Sequence, residues 1–131
     1  MPKISALTAA TTLDADDLLY VVEDGNSRKA TIPQIMGVSA LGWGQSWQDV
    51  TASRAVATSY QNTTGKPIMV AIEPNSATPG NLEVSADGST WIRIGVIIAS
   101  GSDVRGAWAI VPPDHYYRQT AGGFFGWKEL R

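Results

Sequence analysis

The chain contains no cysteine and only one histidine. The first absence excludes disulfides, thiol catalysis and zinc–thiolate sites, and the second excludes an all-histidine metal site within one chain. Charge is also sparse, at 17% of the 131 residues, and ten bases against twelve acids leave a net charge of −2. The basic footprint that nucleic acid or an anionic membrane surface requires is therefore missing, and neither is an expected partner. Hydrophobic runs such as residues 94–99 are far short of the roughly 20 apolar residues that cross a bilayer. Met1-Pro2-Lys3 leads into a mixed Ser/Thr/Ala stretch instead of an apolar core, so no signal peptide is expected. Internal repeats are lacking, and beyond residue 38 no helical period outlasts two turns.

What is present is a normal hydrophobic share, 44%, with thirteen glycines and five tryptophans. A chain of this length hides about two-thirds of its unfolded surface and can build a core without staples. Its two parts differ in character. Residues 1–37 hold five acids, three bases and no tryptophan, whereas residues 38–131 carry seven charges of each sign and all five tryptophans. The small-residue stretch Gly37-Val38-Ser39-Ala40-Leu41-Gly42 marks the joint, giving segments 1–37 and 43–131 around a linker at 38–42.

In the first part, Leu18-Leu19-Tyr20-Val21-Val22 reads as a strand, residues 23–26 as a turn and residues 27–32 as the return strand. Pro33 and Gly37 bracket a single helical turn. One hairpin and one turn cannot cover their own apolar residues. Leu18, Leu19, Tyr20, Val21, Val22, Ile32, Ile35 and Met36 are therefore expected to form an attachment and subunit-interface patch. The second part reads as β throughout, with strands at 46–52, 58–62, 67–73, 81–86, 90–99, 107–111, 116–120 and 124–130. Turn signals every 8–12 residues predict a mainly β chain whose second part is an antiparallel, jelly-roll-like β-sandwich. Residues 75–80, 100–106 and 122–123 have the Gly, Pro and Ser content of outward loops, where binding residues often reside.

Chemistry-bearing motifs are few. Asp14-x-Asp16-Asp17 lacks the glycine and closing glutamate of a calcium loop, and acids ahead of an apolar run serve equally as caps. Asp114 beside His115 has no nucleophile elbow to serve, and strand neighbours point to opposite faces. Among Asp49, Glu73, Glu83, Asp87, Asp103, Asp114 and Glu129, no spacing singles out the carboxylate pair of a glycosidase. No catalytic, cofactor-binding or metal-binding residue is expected. Three residues are expected to hold the fold: Arg54, whose five donors suit a carboxylate or carbonyls between strands; Asn62, whose side chain can bond backbone two residues on; and Trp127 in the last strand. The other aromatics suit a core and a subunit interface, with sugar stacking by one or two rings as a second use.

Two sets of strings carry a resemblance. Met1-Pro2-Lys3-Ile4-Ser5-Ala6-Leu7, Asp16-Asp17-Leu18-Leu19-Tyr20-Val21-Val22-Glu23-Asp24-Gly25 and Arg28-Lys29-Ala30-Thr31-Ile32-Pro33-Gln34-Ile35 resemble the N-terminal segment of many bacteriophage fibre proteins. Gly44-Gln45-Ser46-Trp47-Gln48-Asp49-Val50-Thr51-Ala52-Ser53-Arg54, Tyr60-Gln61-Asn62-Thr63-Thr64-Gly65-Lys66-Pro67-Ile68, Ile110-Val111-Pro112-Pro113-Asp114-His115-Tyr116-Tyr117 and Trp127-Lys128-Glu129-Leu130-Arg131 resemble the C-terminal domain of small phage tail-fibre proteins. The resemblance implies a homotrimeric virion protein, and with no catalytic motif in the chain an enzyme is not expected. Residues 1–37 would hold another virion protein, and the β domain would face a host-surface glycan. A head fibre, capsid decoration or fibre adaptor without receptor binding is the alternative. Unlike long fibres, this chain has no shaft between its two parts.

Overall fold

The structure is a computed structural model that describes residues 18–23, 25–31 and 40–131. The chain divides into two compact units, residues 1–37 and 38–131. In the first unit, β1 (Leu18–Glu23) and β2 (Asn26–Thr31) form an antiparallel hairpin in which Glu23 pairs with Asn26. Gly25, at φ +76°, supplies the left-handed backbone that so tight a connection needs. The expected helical turn at 31–37, with Ile32, Ile35 and Met36, lies outside the described residues, as does the Asp14–Asp17 cluster. So do the side chains of Leu18, Leu19, Tyr20, Val21 and Val22.

The second unit is an antiparallel β-sandwich. Its strands are β3 (Trp47–Asp49), β4 (Tyr60–Gln61), β5 (Ile68–Pro74), β6 (Gly80–Ser85), β7 (Ile92–Ser100), β8 (Asp103–Arg105), β9 (Ala107–Val111), β10 (Tyr116–Gln119) and β11 (Phe124–Leu130). One sheet runs β3-β11-β5-β9 and the other β4-β10-β6-β7-β8. Leaving β8 aside, this is the strand order of a jelly roll, in which the first strand pairs with the last. Residues 100–106, expected as a loop, instead contain β8. Ile98, Ala99 and Ser100 pair with Arg105, Val104 and Asp103 about a turn in which Gly101 takes positive φ. The β-branched Val104 favours this extension over an open loop.

Alternation explains the core. In β5, Ile68, Val70 and Ile72 point inward; in β9, Ala107, Ala109 and Val111 do; in β11, Trp127 and Glu129 do. Leu82, Ile97 and Tyr117 close the layer from the facing sheet. Where β9 meets β7 the sheets come close enough that a methyl on Gly95 would lie 3.0 Å from the Ala107 Cβ. Only small side chains fit there, so β9 turns its alanines in and its large residues out. Ser85, which strict alternation would place opposite Leu82 and Val84 on the polar face, is buried, because the residue 86–91 turn folds over it and bonds its hydroxyl.

Candidate functional site

One polar cluster is buried inside the sandwich. Arg54, just after a short 3-10 turn at Thr51–Ser53, reaches β11 and grips Glu129 with two bonds. Its Nε donates to Oε1 at 2.8 Å and its Nη2 to Oε2 at 2.9 Å. The Tyr117 hydroxyl donates to the same Oε1 at 2.8 Å, and Arg131 Nη1 lies 3.3 Å from Oε2. The Glu129 side chain is 0% exposed, so each of these donors offsets a desolvation that would otherwise be prohibitive. Burial opposes the charge on Arg54, yet the bonds to Glu129 and the neighbouring Tyr117 hold its pKa above the usual guanidinium value. Burial first, then the Glu129 carboxylate, pushes the Tyr117 phenol well above its ordinary range.

Around this ion pair the aromatic rings close. The Arg54 guanidinium lies 4.4 Å from the Tyr60 ring centroid. Trp127 is fully buried, with the rings of Phe124, Tyr60 and Tyr117 at 5.4, 5.9 and 6.3 Å. Asn62 accepts the Thr64 amide at 3.1 Å, two residues on, and its Nδ2 donates to the carbonyls of Lys66 and Val111 at 2.7 and 3.0 Å. The three residues singled out in the sequence thus lie in two buried networks. Arg54 and Trp127 meet around Tyr60 and Tyr117, and Asn62 ties the 62–66 turn to the end of β9.

Nothing in this cluster is arranged as a nucleophile and base. His115 Nδ1 lies 3.0 Å from the Pro113 carbonyl oxygen, within its own turn. Asp114 takes φ +63° and uses its amide to bond Asn62. Asp49 is engaged by Lys128 and Thr51, which hold its carboxyl well below the usual range. Asp87 is bonded by the amides of Thr90 and Ser89 and by the Ser85 hydroxyl, with the same effect. Among the described residues, no three His, Asp or Glu side chains converge as metal ligands would.

The outward surfaces are unequal. On the five-stranded sheet Arg118 bonds Glu83 at 3.0 Å and lies over the Trp91 ring, beside Arg93, whereas Ile94 and Val96 of β7 are exposed and apolar. On the four-stranded sheet the register aligns Trp47, Leu130, Met69 and Ile110 in one row across all four strands. The adjacent row is Asp49, Lys128, Ala71 and Trp108. Trp47, Trp108 and Ile110 are each more than half exposed. The sequence places Trp108 and Ala109 on opposite sides of β9; the close approach at Ala107 decides that the tryptophan is the outer one. A notch of about 370 Å³ lies between Trp108, Val104 and the stretch from Ala71 to Pro74.

The two ends of the sandwich also differ. Residues 42–46 join it beside the start of β5: Gln45 Nε2 donates to the Pro67 and Leu130 carbonyls, and Ser46 and Arg131 exchange both backbone bonds at 3.1 Å. The loops at 75–79 and 120–123 lie at the far end of β5 and β11, where the Asn75 amide donates to Gly123 and the Ala99 amide to Ser76. Their packing is tight, since a methyl on Gly80 would overlap the Ala121 carbonyl. Gly122, at φ +74°, sits against the Thr78 carbonyl. Beside them a bulge in β11 turns Phe125 outward, 71% exposed. Comparison of the chain with known protein families, with curated proteins and with solved structures gave no match.

Proposed function

We propose that this protein is a short trimeric tail fibre of a bacteriophage particle, acting by contact and not by catalysis. Residues 1–37 hold another virion protein, and the β-sandwich faces the host surface. The observation that carries this reading is the polarity of the sandwich. The polypeptide joins it at the end shared by Ser46 and Arg131, and the loops at 75–79 and 120–123, with exposed Phe125, occupy the opposite end. Seven residues of β5 separate the two ends, roughly 20 Å at strand rise. A tethered module with its tether at one end and these loops at the other is suited to present the loops outward. A host-surface glycan is the partner of that end, with Phe125 offering an apolar face to a sugar ring.

The test is adsorption. Particles carrying Phe125→Ser or a shortened 75–79 loop should bind host cells at least tenfold less, with the protein still incorporated. Normal adsorption by particles that contain these variants would overturn the host-contact reading. Immunogold labelling on the head, away from the tail, would favour a head fibre or decoration protein instead.

A further inference from the structure

We propose that the apolar band centred on β9 is where copies of this chain pack against one another. This rests on the self-association proposed above, and it moves the main contact from residues 1–37 to the sandwich. Five side chains of β7, β8 and β9 form the band: Ile94, Val96, Val104, Trp108 and Ile110, each 38–63% exposed. Together they expose on the order of 500 Å², in the upper part of what a solitary soluble protein shows in one patch. It is also most of the roughly 800 Å² that each partner contributes to a standard interface. Trp47 and the half-buried Met69 and Leu130 continue the same surface across the four-stranded sheet.

Three features favour a second copy as the occupant. First, four charges bordering the band are matched within the chain: Lys128 with Asp49, and Arg105 with Asp103 at 2.8 Å. Covering these residues strands none of the four, so they call for no charge-bearing partner of different sequence. Second, among the described residues β9 pairs only with β5, which leaves its other edge unpaired there, and natural proteins cover such edges. Third, the band is not self-similar. One side of the Trp108–Ile110 ridge is the outer face of the four-stranded sheet, and the other is the groove against Ile94 and Val96. Two different surfaces meeting head to tail generate a ring when the rotation closes, which is what three copies about an axis require.

The experiment uses the full chain. Sedimentation of wild type from 0.1 to 100 µM should give a species of three times the 14.0 kDa chain mass. Trp108→Glu and Ile110→Glu should raise the concentration for half-assembly at least tenfold, and Gln61→Ser on β4, at the opposite edge of the five-stranded sheet, should not. Far-UV dichroism identifies any variant that fails to fold, and hydrogen exchange on wild type needs no variant. In the assembled state, amides at 94–96 and 104–110 should exchange at least tenfold more slowly than in diluted subunits. Folded Glu variants that assemble like wild type, or protection confined elsewhere, would overturn this interface and leave self-association standing. A wild type that remains monomeric at 100 µM would overturn both.

Discussion

Glu129 is a carboxylate with no access to water, held by Arg54, Tyr117 and Arg131. Removing one partner of such a buried pair leaves an uncompensated charge, at a cost of about 3–5 kcal/mol. Arg54→Met should therefore destabilise the protein by that amount in urea unfolding. The double variant Arg54→Met, Glu129→Leu should recover most of it, because the stranded charge is gone. Trp127 makes a different contribution, since its ring is fully buried among Phe124, Tyr60 and Tyr117. Trp127→Ala should cost about 3–5 kcal/mol through the cavity it leaves, and host binding per folded molecule should be unchanged. A variant that melts like wild type and no longer adsorbs would assign Trp127 to recognition.

At the scale of elements, the 86–91 turn is an electrostatic device as well as a connection. Asp87 is held well below the usual carboxylate range by the amides of Thr90 and Ser89 and by the Ser85 hydroxyl, and Asp49 likewise by Lys128 and Thr51. A folded-state pKa below the unfolded value of about 3.9 stabilises the protein fully above that pH. The contribution fades as pH falls toward the depressed folded value. Melting temperature should drop below about pH 4, and Asp87→Asn should flatten part of that drop by removing one titration. Thermal melts between pH 2 and 7 measure both. The connection between the expected strands 81–86 and 90–99 was legible because turn chemistry is local, and so were the strands of β5, β9 and β11, whose alternation is set by one buried face. The acceptor for Arg54 was legible only as a type, since Glu129 lies 75 positions away. The outward Trp108 and the buried Ser85 were not legible, because sheet spacing at Gly95 and the fold of a neighbouring turn decide them. β8 was hidden by its length of three residues beside two turn glycines.

At the scale of the molecule, β11 lies between β3 and β5 and carries Trp127 and Glu129 together. The sandwich cannot close until its last strand is in place. Removing residues 124–131 should abolish cooperative thermal unfolding, whereas trimming a peripheral strand such as β8 should only lower its midpoint. Pairing of distant segments also predicts refolding over milliseconds to seconds, not microseconds. The exchange of backbone bonds between Ser46 and Arg131 has a mechanical side. A pull applied between the linker and the far loops runs parallel to β3 and β11, so their cross-links are loaded in shear. Bonds strained sideways yield together, whereas bonds peeled from one end yield in turn. The joint between tether and sandwich is thereby built to carry tension along the long axis of the domain.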